Sequence, residues 1–86
     1  MKQFNLEEYL KNPSRKVITR DGREARIICT DRKDLNYSIV ALIDKENRAE
    51  QVITFTKDGK LDLTITESSF DLFFAPEKHD LIKKVK

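Results

Sequence analysis

The pattern of apolar and polar residues predicts short β-strands separated by turns over most of the chain. Strand-forming runs recur from residue 16 to residue 76, and polar or turn-forming residues interrupt them at regular intervals. The predicted strands cover residues 16–19, 24–30, 38–44, 51–56, 61–66 and 70–75. Such spacing is typical of an antiparallel sheet. We therefore expect a mainly β fold, an antiparallel meander of five to six strands that curls toward a small, partly closed, SH3-like barrel.

Asp-Gly pairs mark two of the predicted turns. Asp21-Gly22 lies between the first two strands, and Asp-Gly between strand-forming runs is a strong hairpin signal. The sequence Thr-Arg-Asp-Gly-Arg at 19–23 is echoed by Thr-Lys-Asp-Gly-Lys at 56–60. We interpret the likeness as one turn chemistry used twice, not as a duplicated unit. A three-residue loop with Gly59 left-handed keeps the apolar residues of the second hairpin on one face, whereas the register of the first stays open.

A short helix is predicted before the first strand, over about 5–11. Asn5 is a good N-cap, and Glu8 stands three residues later, where a capping box requires it. Phe4 and Tyr9 have the spacing of a hydrophobic staple. Two helical turns are not stable alone, so the helix must pack on the sheet. An open sheet with this helix on one face is the alternative architecture.

Alternation along the strands sends apolar side chains to both faces of the sheet. Val40 and Leu42 point away from the other apolar residues of their strand, and Phe73 points away from its neighbours. Since only one set can line the barrel interior, we expect these residues, with Ile28, on the outer face. The helix is expected to cover part of that face and to leave an apolar patch near Phe73. Val40, Leu42 and Phe73 are thus candidate partner-binding residues, for an unknown protein or in a homodimer.

Length and composition indicate one small domain over residues 1–86. The helix covers about 5–11, the β-meander about 16–76, and a C-terminal tail or edge strand 77–86. Five Phe, two Tyr and a hydrophobic fraction of 38% argue against disorder. The start of the chain lacks a signal-peptide core, and no apolar run approaches the ~18 residues that span a membrane. We expect a cytoplasmic protein that does not contact membranes.

The net charge of +2 is unevenly distributed. Residues 13–33 carry seven Lys or Arg against three Asp or Glu, and residues 34–76 carry four against eight. A dedicated nucleic-acid-binding protein usually has a larger one-sided excess. The candidate nucleic-acid-binding residues are Arg20, Arg23, Arg26, Arg32 and Lys33. This stretch lacks the interleaved aromatic residues expected of a protein that binds single strands. In a simple meander the two Asp-Gly turns lie at opposite ends of the sheet, which argues against one pooled basic surface. We therefore favour cations balanced by neighbouring acids.

Residues suited to catalysis or metal binding are few. Cys29 is the only cysteine and His79 the only histidine, which excludes an internal disulfide and any Cys-rich metal site. We expect a buried strand cysteine and a solvated histidine, not a catalytic pair. Asp31 and Asp34 lack the spacing of a calcium loop. The sequence predicts no enzyme activity, no metal and no cofactor.

Five short runs, at 17–23, 26–31, 37–42, 58–60 and 71–76, occur together in this order. In combination they resemble a group of small uncharacterised phage and prophage proteins of the kind found in gut Bacteroides-type bacteria. Members often carry a Trp-containing tail after the proline, whereas this chain has Leu81 and Ile82 and no Trp. The resemblance implies a mobile-element origin and carries no functional residues.

The function expected from the whole sequence is that of a small non-catalytic protein-interaction module, of phage or mobile-element origin. The alternative is a weak nucleic-acid-binding accessory protein that uses the basic first hairpin. The fold alone cannot choose between these functions.

Overall fold

A computed structural model describes residues 2–45 and 49–76. Within them, one helix and six strands follow in the order β1 (Lys2–Gln3), α1 (Leu6–Lys11), β2 (Val17–Thr19), β3 (Glu24–Cys29), β4 (Ile39–Lys45), β5 (Ala49–Phe55) and β6 (Leu72–Phe74). All strand pairs are antiparallel, and the sheet curls into a half-barrel. The predicted mainly β fold is confirmed. The predicted C-terminal tail or edge strand at 77–86, with His79, lies outside the described residues.

The strands lie in the sheet in the order β1-β6-β2-β3-β4-β5. From β2 to β5 each strand pairs with the next, as the predicted meander requires. The prediction of a further strand over 61–66 is wrong, because these residues form turns. The Asp62 carboxylate accepts hydrogen bonds from the N–H and the hydroxyl of Thr64 at 2.8 and 2.7 Å, a side-chain chemistry that competes with strand pairing. The chain then crosses back and places β6 beside β2.

The two Thr-X-Asp-Gly-X stretches fold into the same turn. Thr19 N–H donates to the Arg23 carbonyl at 2.8 Å, and Gly22 N–H to the Thr19 carbonyl at 2.9 Å. The second turn repeats both bonds, from Thr56 to Lys60 at 2.9 Å and from Gly59 to Thr56 at 2.8 Å. The glycines have φ values of +89° and +80°, so each closes a three-residue loop in the left-handed conformation. The interpretation of one turn chemistry used twice is confirmed.

The core lies on the inner face of the half-barrel. Ile39, Ala41 and Ile43 of β4 are fully buried there, which confirms the predicted split of this strand between two faces. The buried apolar residues are Phe4, Val17, Ala25, Ile39, Ala41, Ile43, Phe55, Leu72 and Phe74. Because every strand from β2 to β6 contributes, the core fixes the curvature of the whole sheet.

Helix α1 covers the inner face, not the outer one. Asn5 caps it, since its Oδ1 accepts the Glu8 N–H at 3.2 Å, and the rings of Phe4 and Tyr9 pack 5.7 Å apart as the predicted staple. Phe4 also stacks on Phe74 at 5.3 Å, and Leu6 packs against the core. The prediction that the helix covers the outer face is wrong. Pairing of β1 with β6 fixes the chain directly before Phe4, so the helix begins over the core.

Candidate functional site

The outer face of β3, β4 and β5 carries four apolar side chains. Leu42 pairs with Arg26 on one side and with Val52 on the other, and Val40 is the next outward residue of β4. Val52 is 66% exposed, and Ile28, the extra residue of a bulge in β3, is 56% exposed. We call Ile28, Val40, Leu42 and Val52 the outer patch. Two of the three predicted partner-binding residues, Val40 and Leu42, belong to it.

Phe73 lies outside the outer patch. It pairs with Gln3 and Ile18 at the other side of the sheet, where β2 and β3 separate it from β4. The guanidinium of Arg20 lies 4.8 Å from the centre of its ring, a cation–π contact that covers part of the aromatic face. The structure therefore does not bring the three predicted residues together.

An ion pair crosses the outer face beside Leu42. The guanidinium of Arg26 donates to both carboxylate oxygens of Glu50, with distances of 2.8 and 2.7 Å. The hydrogen bond from Arg26 lowers the pKa of Glu50, and the same bond raises the pKa of Arg26. The aliphatic part of such an arginine can lie on apolar surface while its charge stays in water. Arg26 and Glu50 thus lie beside the outer patch, and each neutralises the charge of the other.

The candidate nucleic-acid-binding residues do not form one basic surface. Arg20 and Arg23 lie at the β2–β3 turn, whereas Arg32 and Lys33 lie in the loop at the opposite end of β3. Each of the four arginines pairs with a carboxylate, in the pairs Arg20–Asp71, Arg23–Asp21, Arg26–Glu50 and Arg32–Asp34. These pairs compensate the positive charge on which phosphate binding depends.

A buried aspartate that the sequence did not single out joins the two turns. Asp71 is 3% exposed and accepts the backbone N–H groups of Leu61 and Ser68, both at 3.0 Å. Arg20 of the first turn donates to it at 3.2 Å, and Lys60 of the second lies 3.6 Å away. We call these five residues the Asp71 cluster. The prediction that the two turns lie at opposite ends is wrong, because the crossing before β6 brings both to Asp71.

The environment of Asp71 favours its charged form. Burial by itself raises the pKa of this carboxyl, but the hydrogen bonds from Leu61, Ser68 and Arg20, with the charge of Lys60, outweigh burial and lower it. These partners surround the carboxylate and link it to both turns. The sequence does show an acidic residue, Asp71, directly before the apolar strand β6. The residues that bind its carboxylate could not be predicted, because Arg20 is distant in the sequence and no local pattern indicates the others.

The remaining polar candidates are local contacts. The Cys29 thiol donates to the Asp31 carboxylate at 3.1 Å, and the residue is partly exposed, not buried as predicted. Hydrogen bonds from the N–H groups of Tyr37 and Asn36 lower the pKa of Asp34, which organises its own loop. Within residues 2–45 and 49–76, no three His, Cys, Asp or Glu side chains converge as metal ligands would.

A cleft beside the helix is open and of mixed charge. It has a volume of about 610 Å³ and lies between β1, the start of α1 and the second turn. Lys2 and Glu8, which line it, form an ion pair with each other. Small-molecule sites are usually more enclosed and largely apolar. This cleft therefore does not have the features of a typical small-molecule site.

The fold and its match to a family model define a small phage-associated protein built on a half-barrel β-sheet. The chain belongs to the family described as Haemophilus phage HP1 protein YO09, whose model matches residues 1–73. The phage association expected from the sequence is confirmed. Searches of curated proteins and of solved structures found no match. In the described part of the chain, no helix is long and apolar enough to cross a membrane.

Proposed function

We propose that the protein is a small non-catalytic protein-interaction module that binds its partner through the outer patch. The observation that carries the proposal is the exposure of Ile28 and Val52 beside Val40 and Leu42, on a face that the protein's own helix leaves uncovered. Apolar patches on small domains mark partner sites, because their burial removes apolar surface from water. The compensated ion pair between Arg26 and Glu50 suits the rim of such an interface.

The test is affinity capture from cells that carry the parent phage, with tagged wild type and an Ile28→Asp variant. Leu35→Asp is the matched control, because Leu35 is 95% exposed in the loop after β3 and lies outside the outer patch. We expect a partner retained by wild type and control but reduced about tenfold with Ile28→Asp, the loss from one buried contact. Equal recovery with all three folded proteins would contradict the proposal.

The nucleic-acid alternative has weaker support. It requires free positive charge on Arg20, Arg23, Arg26, Arg32 and Lys33, and carboxylates pair with all four arginines. Titration with DNA and RNA at several salt concentrations separates the two functions. A steep loss of affinity with salt would support nucleic-acid binding, and no binding at low salt would remove it.

The source and location of the protein are part of the same proposal. The runs at 17–23, 26–31 and 37–42 support an origin in phages or prophages of gut Bacteroides-type bacteria. We place its action in the cytoplasm of the host cell, where phage components are made. Fractionation of cells that carry the phage, followed by immunoblotting, checks this location.

A further inference from the structure

We propose that two copies of this chain join edge to edge through β5. This inference goes beyond the proposed function, since it concerns the edge of the sheet and not its outer face. β5 is the last strand in the sheet order, and within the described residues it pairs only with β4. As far as residues 2–45 and 49–76 are concerned, the opposite edge of its backbone thus offers a row of N–H and C=O groups to another strand. The exposed side chains of residues 49–52 leave this edge accessible.

The β5 edge lacks the features by which natural sheets prevent pairing. Residues 49–55 contain no Pro, Lys or Arg, and their register with β4 is unbroken over seven pairs. Bulges, prolines and lysines are the usual protection of an exposed edge strand. The other edge of the sheet shows the contrast, because β1 is two residues long, carries Lys2 and ties it to Glu8. An edge that is long, regular and free of proline and basic residues is suited to strand addition.

The sequence of β5 can pair with a second copy of itself without bringing like charges together, and we take a second copy as the occupant. Antiparallel pairing about a two-fold axis at Val52 places Glu50 of each copy opposite Thr54 of the other. Glu50 is the only charged residue of the strand and is already paired with Arg26, so no like charges meet across the junction. The axis also brings the two Val52 side chains together, and each is 66% exposed in one copy.

Pairing through β5 has a consequence for the outer patch. Val52 and Leu42 lie on the strands nearest the junction, so the two outer patches become parts of one surface across the axis. Edge pairing of two seven-residue strands buries little area compared with stable dimers, and we expect a reversible dimer. A partner of the outer patch would then contact both copies.

Cysteine cross-linking in a Cys29→Ser background tests the register. Opposed residues of antiparallel strands have Cα atoms about 4.5–5.5 Å apart, within the range of a disulfide. Val52→Cys should therefore cross-link to itself under mild oxidation. Glu50→Cys alone and Thr54→Cys alone should not, because equivalent residues would lie about 13 Å apart. A mixture of the Glu50→Cys and Thr54→Cys proteins should cross-link, because the proposed pairing places these two residues opposite each other. Self-linking of Glu50→Cys as fast as that of Val52→Cys would overturn the pairing.

Sedimentation equilibrium tests the association without cross-linking. We expect wild type to dimerise with a dissociation constant of about 1 mM or tighter, and Val52→Lys to weaken it about tenfold by placing two like charges at the axis. Leu63→Lys is the control, on an exposed residue of the turns after β5. A wild-type monomer in this range would overturn the inference. Capture of a partner that still depends on Ile28 would then leave the proposed function standing.

Discussion

The two Thr-X-Asp-Gly-X turns share their backbone hydrogen bonds but differ in their surroundings. A Cβ added at Gly22 would meet no atom within 4 Å, whereas one at Gly59 would lie 2.8 Å from the Cβ of Phe4 and 3.1 Å from that of Leu72. The carbonyl of Gly59 accepts the Leu72 N–H at 2.8 Å, and the carbonyl of Lys57 accepts the Leu6 N–H at 3.0 Å. The first turn connects β2 and β3, and its Arg20 and Asp21 N–H groups donate to the carbonyls of Asp71 and Ser69 at 2.7 and 3.2 Å. The second turn follows β5 and packs directly against Phe4, before the helix, and against β6. The local sequence determines the conformation of each turn, and the packing around the turn determines how much the turn contributes to stability.

The largest expected effect distinguishes the two glycines. Gly22→Ala should lower the free energy of unfolding by about 1–2 kcal/mol, because alanine is strained at positive φ. Gly59→Ala should lower it by about 2–5 kcal/mol, since overpacking against Phe4 and Leu72 adds to the same strain. Urea denaturation measures both values, and loss of a cooperative transition in Gly59→Ala counts as the larger effect. Equal losses would show that the surroundings of the turns do not matter.

The Asp71 cluster, which holds the two turns together, should give the next largest effect. Asp71→Asn removes the charge that pairs with Arg20 and Lys60, and we expect a loss of about 1–3 kcal/mol near neutral pH. Asp21→Ala is the comparison within one turn. The partly exposed Asp21 carboxylate pairs with Arg23 and accepts the Thr19 hydroxyl, and its loss should cost less, about 1 kcal/mol. Thermal and urea unfolding of the three proteins check the order.

The same variant has a defined pH dependence. Because the pKa of Asp71 is lowered on folding, its stabilisation is complete above about pH 5, beyond the ordinary titration range of an aspartate, and is lost as pH falls through the lower folded value. The difference in unfolding free energy between wild type and Asp71→Asn should therefore shrink as the pH falls below about 5. Other acids titrate in both proteins, so the difference isolates Asp71. A gap that stays constant or widens on acidification would exclude this origin.

The smallest effect concerns the threonines that open the two turns. The hydroxyl of Thr19 accepts the Arg23 N–H at 3.0 Å, and that of Thr56 accepts the Lys60 N–H at 3.1 Å. Thr56→Val should lower the free energy of unfolding by about 1 kcal/mol, because it removes this bond. Thr19→Val should lower it by the same amount or somewhat more, because the Thr19 hydroxyl also donates to the Asp21 carboxylate. Losses in both variants, from the same urea titrations, would show that the local chemistry is shared. A loss confined to one turn would mean that packing alters this bond too.

The features predicted correctly from the sequence depend on residues close together in the chain. The cap at Asn5, the staple between Phe4 and Tyr9, and the three-residue loop at Gly59 follow from spacings of a few residues. The burial split of β4 follows from simple alternation. Such signals are readable because the physical interaction and the sequence pattern cover the same short segment.

The features that were missed depend on contacts between distant segments. Leu63 and Ile65 alternate with polar residues as in a strand, yet their segment forms turns that the Asp62–Thr64 hydrogen bonds hold, and both side chains are exposed. The helix was assigned to the wrong face because pairing of β1 with β6 was not visible in the sequence. Of the candidate site, Val40 and Leu42 were placed together by alternation within one strand, whereas Phe73 required knowledge of the strand order.

The position of β6 between β1 and β2 has a consequence for how the chain folds. Lys2 pairs with Phe74, so the first strand acquires its partner only when almost the whole chain is present. The hairpins from β2 to β5 close loops of at most about ten residues and can form early, while closing the longest loop carries a larger entropy loss and comes late. During synthesis on the ribosome, β1 therefore stays unpaired until β6 has been made, and the sheet forms first from the hairpins between β2 and β5.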